Sequence, residues 1–208
     1  MIDVEKFKDV SVETFLDMVG SDAPAPGGGG VAALMAASSA ALIEMVANLT
    51  IHKKGYEQIQ VEAQAIGVAA HAIRKSAVEG IAADGKAFQQ VLQQLRLPKE
   101  KAERDALVQL AFREAACVPL YLGKQMIELL RLADKIMLIG NTWAVTDAMI
   151  GAIQARAAMR AAFYSVQINL KFIRDEAFVY SIREQLATAE VQAEQLEKKI
   201  EQRYQEQG

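Results

Sequence analysis

Polar and apolar residues almost never alternate two by two in this chain; its apolar positions recur every three or four residues instead. That period belongs to helices and not to half-buried strands. Ala, Leu, Glu, Gln and Met dominate, and their intrinsic preference is helical. From Tyr56 to Leu95 the apolar stripe reads Ile59, Ala63, Ile66, Ala70, Ile73, Ala77, Ile81, Phe88, Leu92 and Leu95. A chain patterned this way buries its stripes helix against helix. The expectation is an all-α, single-domain bundle of long helices over residues 1–208, without a linker or an internal repeat.

The breaks are few. Ser11 is placed to cap a short helix, Val12 to Val19, that stops at Gly20. Ser21-Asp22-Ala23-Pro24-Ala25-Pro26 and Gly27-Gly28-Gly29-Gly30 follow, and this run predicts an irregular segment with the next helix starting at Val31 and reaching Asn48. A polar turn, His52-Lys53-Lys54-Gly55, precedes the helix from Tyr56 to Leu95. Pro98 marks another break, Lys99 opens the next helix, and Pro119 should kink or divide it before Gly140-Asn141. A helix from Trp143 or Ala144 to Phe172 and a last one from Glu176 to Arg203 complete the chain. In the last, Val179, Ile182, Leu186, Ala189, Ala193, Leu196 and Ile200 step by three and four, the spacing of a coiled-coil seam.

Composition narrows the function. A net charge of −3 argues against a nucleic-acid partner held by broad phosphate neutralisation. The one cysteine, Cys117, cannot form an internal disulfide, which suits the cytoplasm, and its surroundings predict a buried apolar thiol. The opening MIDVEKFKDV lacks the apolar core of a secretory signal. The uncharged stretch from Val31 stops at Glu44, short of the ~20 residues of a membrane span, so a soluble protein without a membrane partner is expected. His52 and His71 are too few and too far apart for a metal motif.

Asp84 follows Ile81 by three and precedes Phe88 by four, which puts a carboxylate on an apolar stripe. Such a group is either satisfied structurally by a neighbouring helix or functional, since burial raises a carboxyl pKa towards the range of a general acid or base. Gly27, Gly28, Gly29 and Gly30 also have two readings. They could offer backbone amides to an anion at a helix N-terminus, or let backbone pack closely against backbone. Lys53 and Lys54 are either solvated or able to receive the carboxylates of an acidic substrate.

In chain order, Pro24-Ala25-Pro26-Gly27-Gly28-Gly29, Val31-Ala32-Ala33, Asn48-Leu49-Thr50 before Lys53-Lys54, and Asp84 with Ala87-Phe88 form a set of landmarks. Leu97-Pro98-Lys99, Val118-Pro119-Leu120, Gly140-Asn141, Thr146-Asp147 and Ile168-Asn169-Leu170 continue it. Together they resemble the formimidoyltetrahydrofolate cyclodeaminase and methenyltetrahydrofolate cyclohydrolase family, from Thr14 to Phe178. The resemblance implies an all-helical dimeric fold and a folate cleft. It also implies a catalytic role for Asp84, and substrate contacts from Gly27, Gly28, Gly29, Gly30, Lys53, Lys54, Asn141, Asp147 and Asn169. The chain departs from the family pattern at Gly30, where members commonly have Ser, and at Ser165-Val166-Gln167, where they commonly have Asn. Thr146 replaces the usual Ser.

The resemblance further implies a tetrahydrofolate derivative as substrate, in polyglutamylated form where Lys53 and Lys54 meet the tail, and no tightly bound cofactor. The leading expectation is cyclodeamination, which forms 5,10-methenyltetrahydrofolate and ammonia. Cyclohydrolysis of the methenyl form is the alternative, and a non-catalytic helical dimer or folate-binding module is the rival from another class. A homodimer is expected, because the Val179–Ile200 seam and the small-residue helix from Val31 offer more apolar surface than about six helices need internally.

Overall fold

The computed structural model describes residues 3–207. Six α-helices carry the fold: α1 (Val12–Val19), α2 (Gly28–Ile51), α3 (Gln60–Leu95), α4 (Arg104–Ile139), α5 (Val145–Leu170) and α6 (Glu176–Gln207). Short 3-10 turns at Val4–Lys8, Glu57–Ile59 and Thr142–Ala144 join them, and no strand is present among the described residues. The helical period is thus translated directly into an all-α bundle.

Ser11 caps α1 by accepting the Thr14 amide, as its position before the helix predicts. The glycine run behaves differently from expectation. Gly28, Gly29 and Gly30 are the first turn of α2 and not an irregular segment, with Gly27 in the capping position. Glycine weakens a helix by about 1 kcal/mol per residue relative to Ala, so tertiary contacts must hold this turn. α4 opens at Arg104 and not at Lys99. Pro119 lies inside α4 without dividing it. Its missing N–H frees the Ala115 carbonyl, and Asn169 of α5 donates Nδ2 to that oxygen at 3.2 Å.

α2 is the central rod. It packs on α3, α4 and α5, with Ala32, Ala33, Ala36, Ala37, Ala40 and Ala47 all buried. Over eighteen residues its mean hydropathy reaches 1.7, long and apolar enough by length and composition to cross a membrane, yet 56% of that window is buried in the bundle. Small residues bring its neighbours close. A Cβ on Gly151 of α5 would lie 2.9 Å from Ile43 Cδ1, and one on Gly123 of α4 would lie 2.2 Å from Phe163 Cε1.

α6 folds back across α4 and α5. Its seam is spent inside the protomer: Ile182, Leu186, Ala189, Ala193 and Ile200 are in the core, and Val179 and Leu196 pack against it. That overturns the expectation that the seam is surplus apolar surface for a partner. Ion pairs fasten the same helix, Asp134 of α4 meeting Lys199 and Arg203 at 2.7 and 2.6 Å. Arg156 of α5 reaches Glu190 at 2.7 Å.

Candidate functional site

Asp84 sits in the C-terminal half of α3 and faces the N-terminus of α2. The first-turn amides of a helix have no partner within it, and Gly27 supplies no side-chain cap. Asp84 takes that place from a neighbouring helix by accepting the Gly30 amide. A Cβ on Gly29 would come within 2.0 Å of Asp84 Oδ1, so only glycine at 29 admits the carboxylate. The lack of a side chain explains both the glycine helix start and the depth of Asp84. Burial pushes the Asp84 carboxyl above its ordinary value, and the Gly30 amide opposes this less strongly.

Two clefts meet at this carboxyl. One, of 390 Å³, runs between α3 and α4 past Gly80, Ala83, Val118 and Leu122 to Ser76 and Gln125. The other, of 310 Å³, is lined by Pro24, Gly27, Gly28, Phe88, Ser165 and Asn169, together with Phe112 and Phe172. The last two rings stack with centroids 4.8 Å apart. Asn169 spends its amide hydrogens on the carbonyls of Ala115 and Ser165, leaving its acceptor oxygen for anything else. Phe88 is 40% exposed at the cleft and is not a core residue of the stripe. Cys117 is exposed on the α4 wall of the first cleft, contrary to the buried thiol expected.

The other sequence candidates gather elsewhere. Lys53 donates to Asn141 Oδ1, and its ammonium lies 5.3 Å from the Tyr56 ring and 5.9 Å from the Trp143 ring. Lys53 and Asn141 line a separate hollow with Glu44, Asn48 and His52. Glu44 is held below its ordinary value chiefly by the hydrogen bond from Arg74, with His71 adding to it. Lys54 is exposed, and Asp147 lies in the first turn of α5. Lys53 follows α2 and Gly29 begins it. The 24 residues of α2 hold the two groups about 35 Å apart within one protomer.

Asp84, Gly27–Gly30 and Asn169 are therefore brought together, while Lys53, Lys54, Asn141 and Asp147 are not among them. The sequence reading missed Phe112, Phe172, Ser76 and Gln125. The two phenylalanines are far apart in sequence, and no local pattern pairs them. Among the described residues no group of three His, Cys, Asp or Glu side chains is placed to hold a metal.

Known proteins are similar to this chain in sequence and in fold. A methenyltetrahydrofolate cyclohydrolase from Methylorubrum extorquens is 38% identical over 172 residues, covering 81% of this chain and 83% of the relative. A formimidoyltransferase-cyclodeaminase from Sus scrofa is 32% identical over 85% of this chain, which spans only 34% of that longer protein. The crystal structure of a formiminotetrahydrofolate cyclodeaminase from Thermotoga maritima superposes with a TM-score of 0.88 at 32% identity, covering 94% of this chain and 96% of the other. The sequence model described as formiminotransferase-cyclodeaminase matches residues 11–188. With most of its length matched in sequence and nearly all of it in structure, the chain belongs to the formiminotransferase-cyclodeaminase family.

Proposed function

We propose that this protein is an enzyme of folate one-carbon chemistry that closes 5-formimidoyltetrahydrofolate to the 5,10-methenyl form and releases ammonia, with Asp84 as its acid–base group. The observation that carries the reading is a half-buried carboxyl, with its pKa shifted upward by desolvation, at the junction of two clefts. Ring closure joins N10 to the formimidoyl carbon, moves the N10 proton, and expels the imino nitrogen as ammonia. A carboxyl whose burial favours the protonated form can deliver that proton to the departing nitrogen. The carboxylate left behind then lies beside the delocalised amidinium-like cation and stabilises it. These are proton transfers within reach of one side chain, and they call for no tightly bound cofactor.

Cyclohydrolysis is the second reading. It is favoured by the 38% identity to the Methylorubrum extorquens cyclohydrolase over most of both chains. Here the Asp84 carboxylate takes a proton from the water that attacks the methenyl carbon. A binding module without catalysis has no use for a carboxyl held above its ordinary range, and that counts against it.

The Lys53–Asn141 hollow is too far from Asp84 to serve the same bound molecule within one protomer. A homodimer resolves this. Met45 and Leu49 of α2 with Ile150, Ile153 and Tyr164 of α5 leave an exposed apolar face, and Trp143 beside it is 88% exposed. A second copy placed antiparallel on that face would bring Lys53 of one protomer towards the groove of the other, where it could receive a glutamate tail.

The test is a spectrophotometric assay with both folates, following the absorbance of the methenyl form. The expected result is its appearance from 5-formimidoyltetrahydrofolate. Turnover of the methenyl compound alone would select the second reading, and no reaction with either would defeat both.

A further inference from the structure

The two clefts that share Asp84 are consecutive stretches of one groove. α3 and α4 run antiparallel along it. Residues 84–91 of α3 face Phe112 and Ala115, and residues 76–84 face 117–125 of α4. From Ser76 to Val91 the groove is about 22 Å long at the α-helical rise, and Asp84 falls close to its midpoint. The two halves differ in chemistry. On one side stand the Phe112–Phe172 stack, Phe88, Ser165 and Asn169. On the other are Gly80, Ala83, Val118 and Leu122, ending in a polar cluster where Ser76 and Gln125 are hydrogen-bonded at 3.1 Å and Gln125 reaches the Tyr121 hydroxyl at 3.3 Å.

We infer that the two halves of the groove bind the two halves of one folate. The fused heterocycle lies in the aromatic end, and the aminobenzoyl arm lies along the aliphatic end with its amide at Ser76 and Gln125. This rests on the folate reading above and deepens it. The reacting carbon of such a substrate bridges the ring nitrogen N5 and the arm nitrogen N10, so a group that serves it must stand between the two moieties. Asp84 stands there. The pyrimidine half of the heterocycle is flat and has an amide-like edge, which suits stacked rings with an amide oxygen and a hydroxyl beside them. The arm is a narrow benzoyl ring followed by a polar amide, which suits a small-residue floor with a polar end. The glutamate then leaves the groove at the Ser76 end.

Cys117 is the one thiol of the chain, is exposed, and lines the aliphatic half, so it reports on what fills that half. The experiment measures N-ethylmaleimide modification of the full-length protein by mass spectrometry, alone or with 5-formyltetrahydrofolate, p-aminobenzoylglutamate or an armless tetrahydropterin. 5-Formyltetrahydrofolate and p-aminobenzoylglutamate should slow modification by about tenfold when saturating, and the tetrahydropterin should leave it unchanged. The modified protein should bind 5-formyltetrahydrofolate at least about tenfold more weakly by calorimetry, a loss near 1.4 kcal/mol. Phe172→Ala should weaken the tetrahydropterin and spare p-aminobenzoylglutamate. Fragment protection in the reverse order, equal protection by both, or none by either would overturn the assignment. So would calorimetric binding of 5-formyltetrahydrofolate that leaves Cys117 unprotected, although the folate reading would then stand. If no folate binds the wild-type protein, the folate reading itself fails.

Discussion

Burial favours the protonated form of Asp84, while the Gly30 amide favours the charged one, and burial prevails. A carboxyl whose folded pKa lies above its unfolded value adds stability fully below the unfolded pKa. That stability is lost as pH rises through the folded value. Asp84→Asn removes this loss and can still accept the Gly30 amide. Its melting temperature should equal or exceed that of wild type at pH 7–8, with the gap closing below about pH 4, the ordinary aspartate range. Turnover should fall ~100-fold or more. A fully active Asp84→Asn protein would end the catalytic assignment. Gly29→Ala tests the same geometry without replacing the carboxylate. Its methyl must displace Asp84 Oδ1, only 2.0 Å away, so turnover should fall at least ~10-fold, the scale of a misplaced catalytic group. An Asp84 that had no part in the reaction would leave Gly29→Ala active.

At the scale of the helix, Pro119 and Asn169 form a unit across α4 and α5. Asn169→Ala strands the Ala115 carbonyl and should lower stability by about 1–3 kcal/mol. Pro119→Ala restores the intrahelical donor, so in that background the Asn169→Ala cost should shrink by about 1 kcal/mol or more. Denaturant titration of the four proteins measures the coupling, and strict additivity would dismiss it. What could be read from sequence follows the same division between local and non-local causes. Helical period is local, so α1, α3, α5 and the seam of α6 were legible from their apolar spacing. The α2 start was not, because Gly28–Gly30 is held helical by Asp84, more than fifty residues away. Asp84 itself was legible as a charge interrupting an apolar stripe. The separation of Lys53 from it was not, since it depends on Asp84 packing at the N-terminal end of α2, a contact between residues far apart in sequence. Periodicity identified the buried face of α6 without saying that α4 and α5 would cover it.

For the whole molecule, the exposed face of α2 and α5 sets the expected assembly. Sedimentation at micromolar concentration should give twice the 22.7 kDa of the chain, and Ile150→Lys should shift the mass towards that of one chain while the helical content persists. A monomeric wild-type protein would remove the dimer and, with it, any role for Lys53 at the partner's groove. The central position of α2 also has a consequence for the order of events during synthesis. Its surface is closed in part by α5, whose first residue, Val145, is nearly a hundred positions after Ile51. Contacts so distant in sequence form late. During translation a helix apolar enough for a bilayer must therefore stand partly uncovered while α3 and α4 are made, and exposed surface of that kind invites aggregation. A chain ending at Gly140 should bind a hydrophobic dye strongly and engage a holdase chaperone, whereas the full-length protein should do neither. The rod at the centre of the finished bundle is the segment of the nascent chain most in need of shelter.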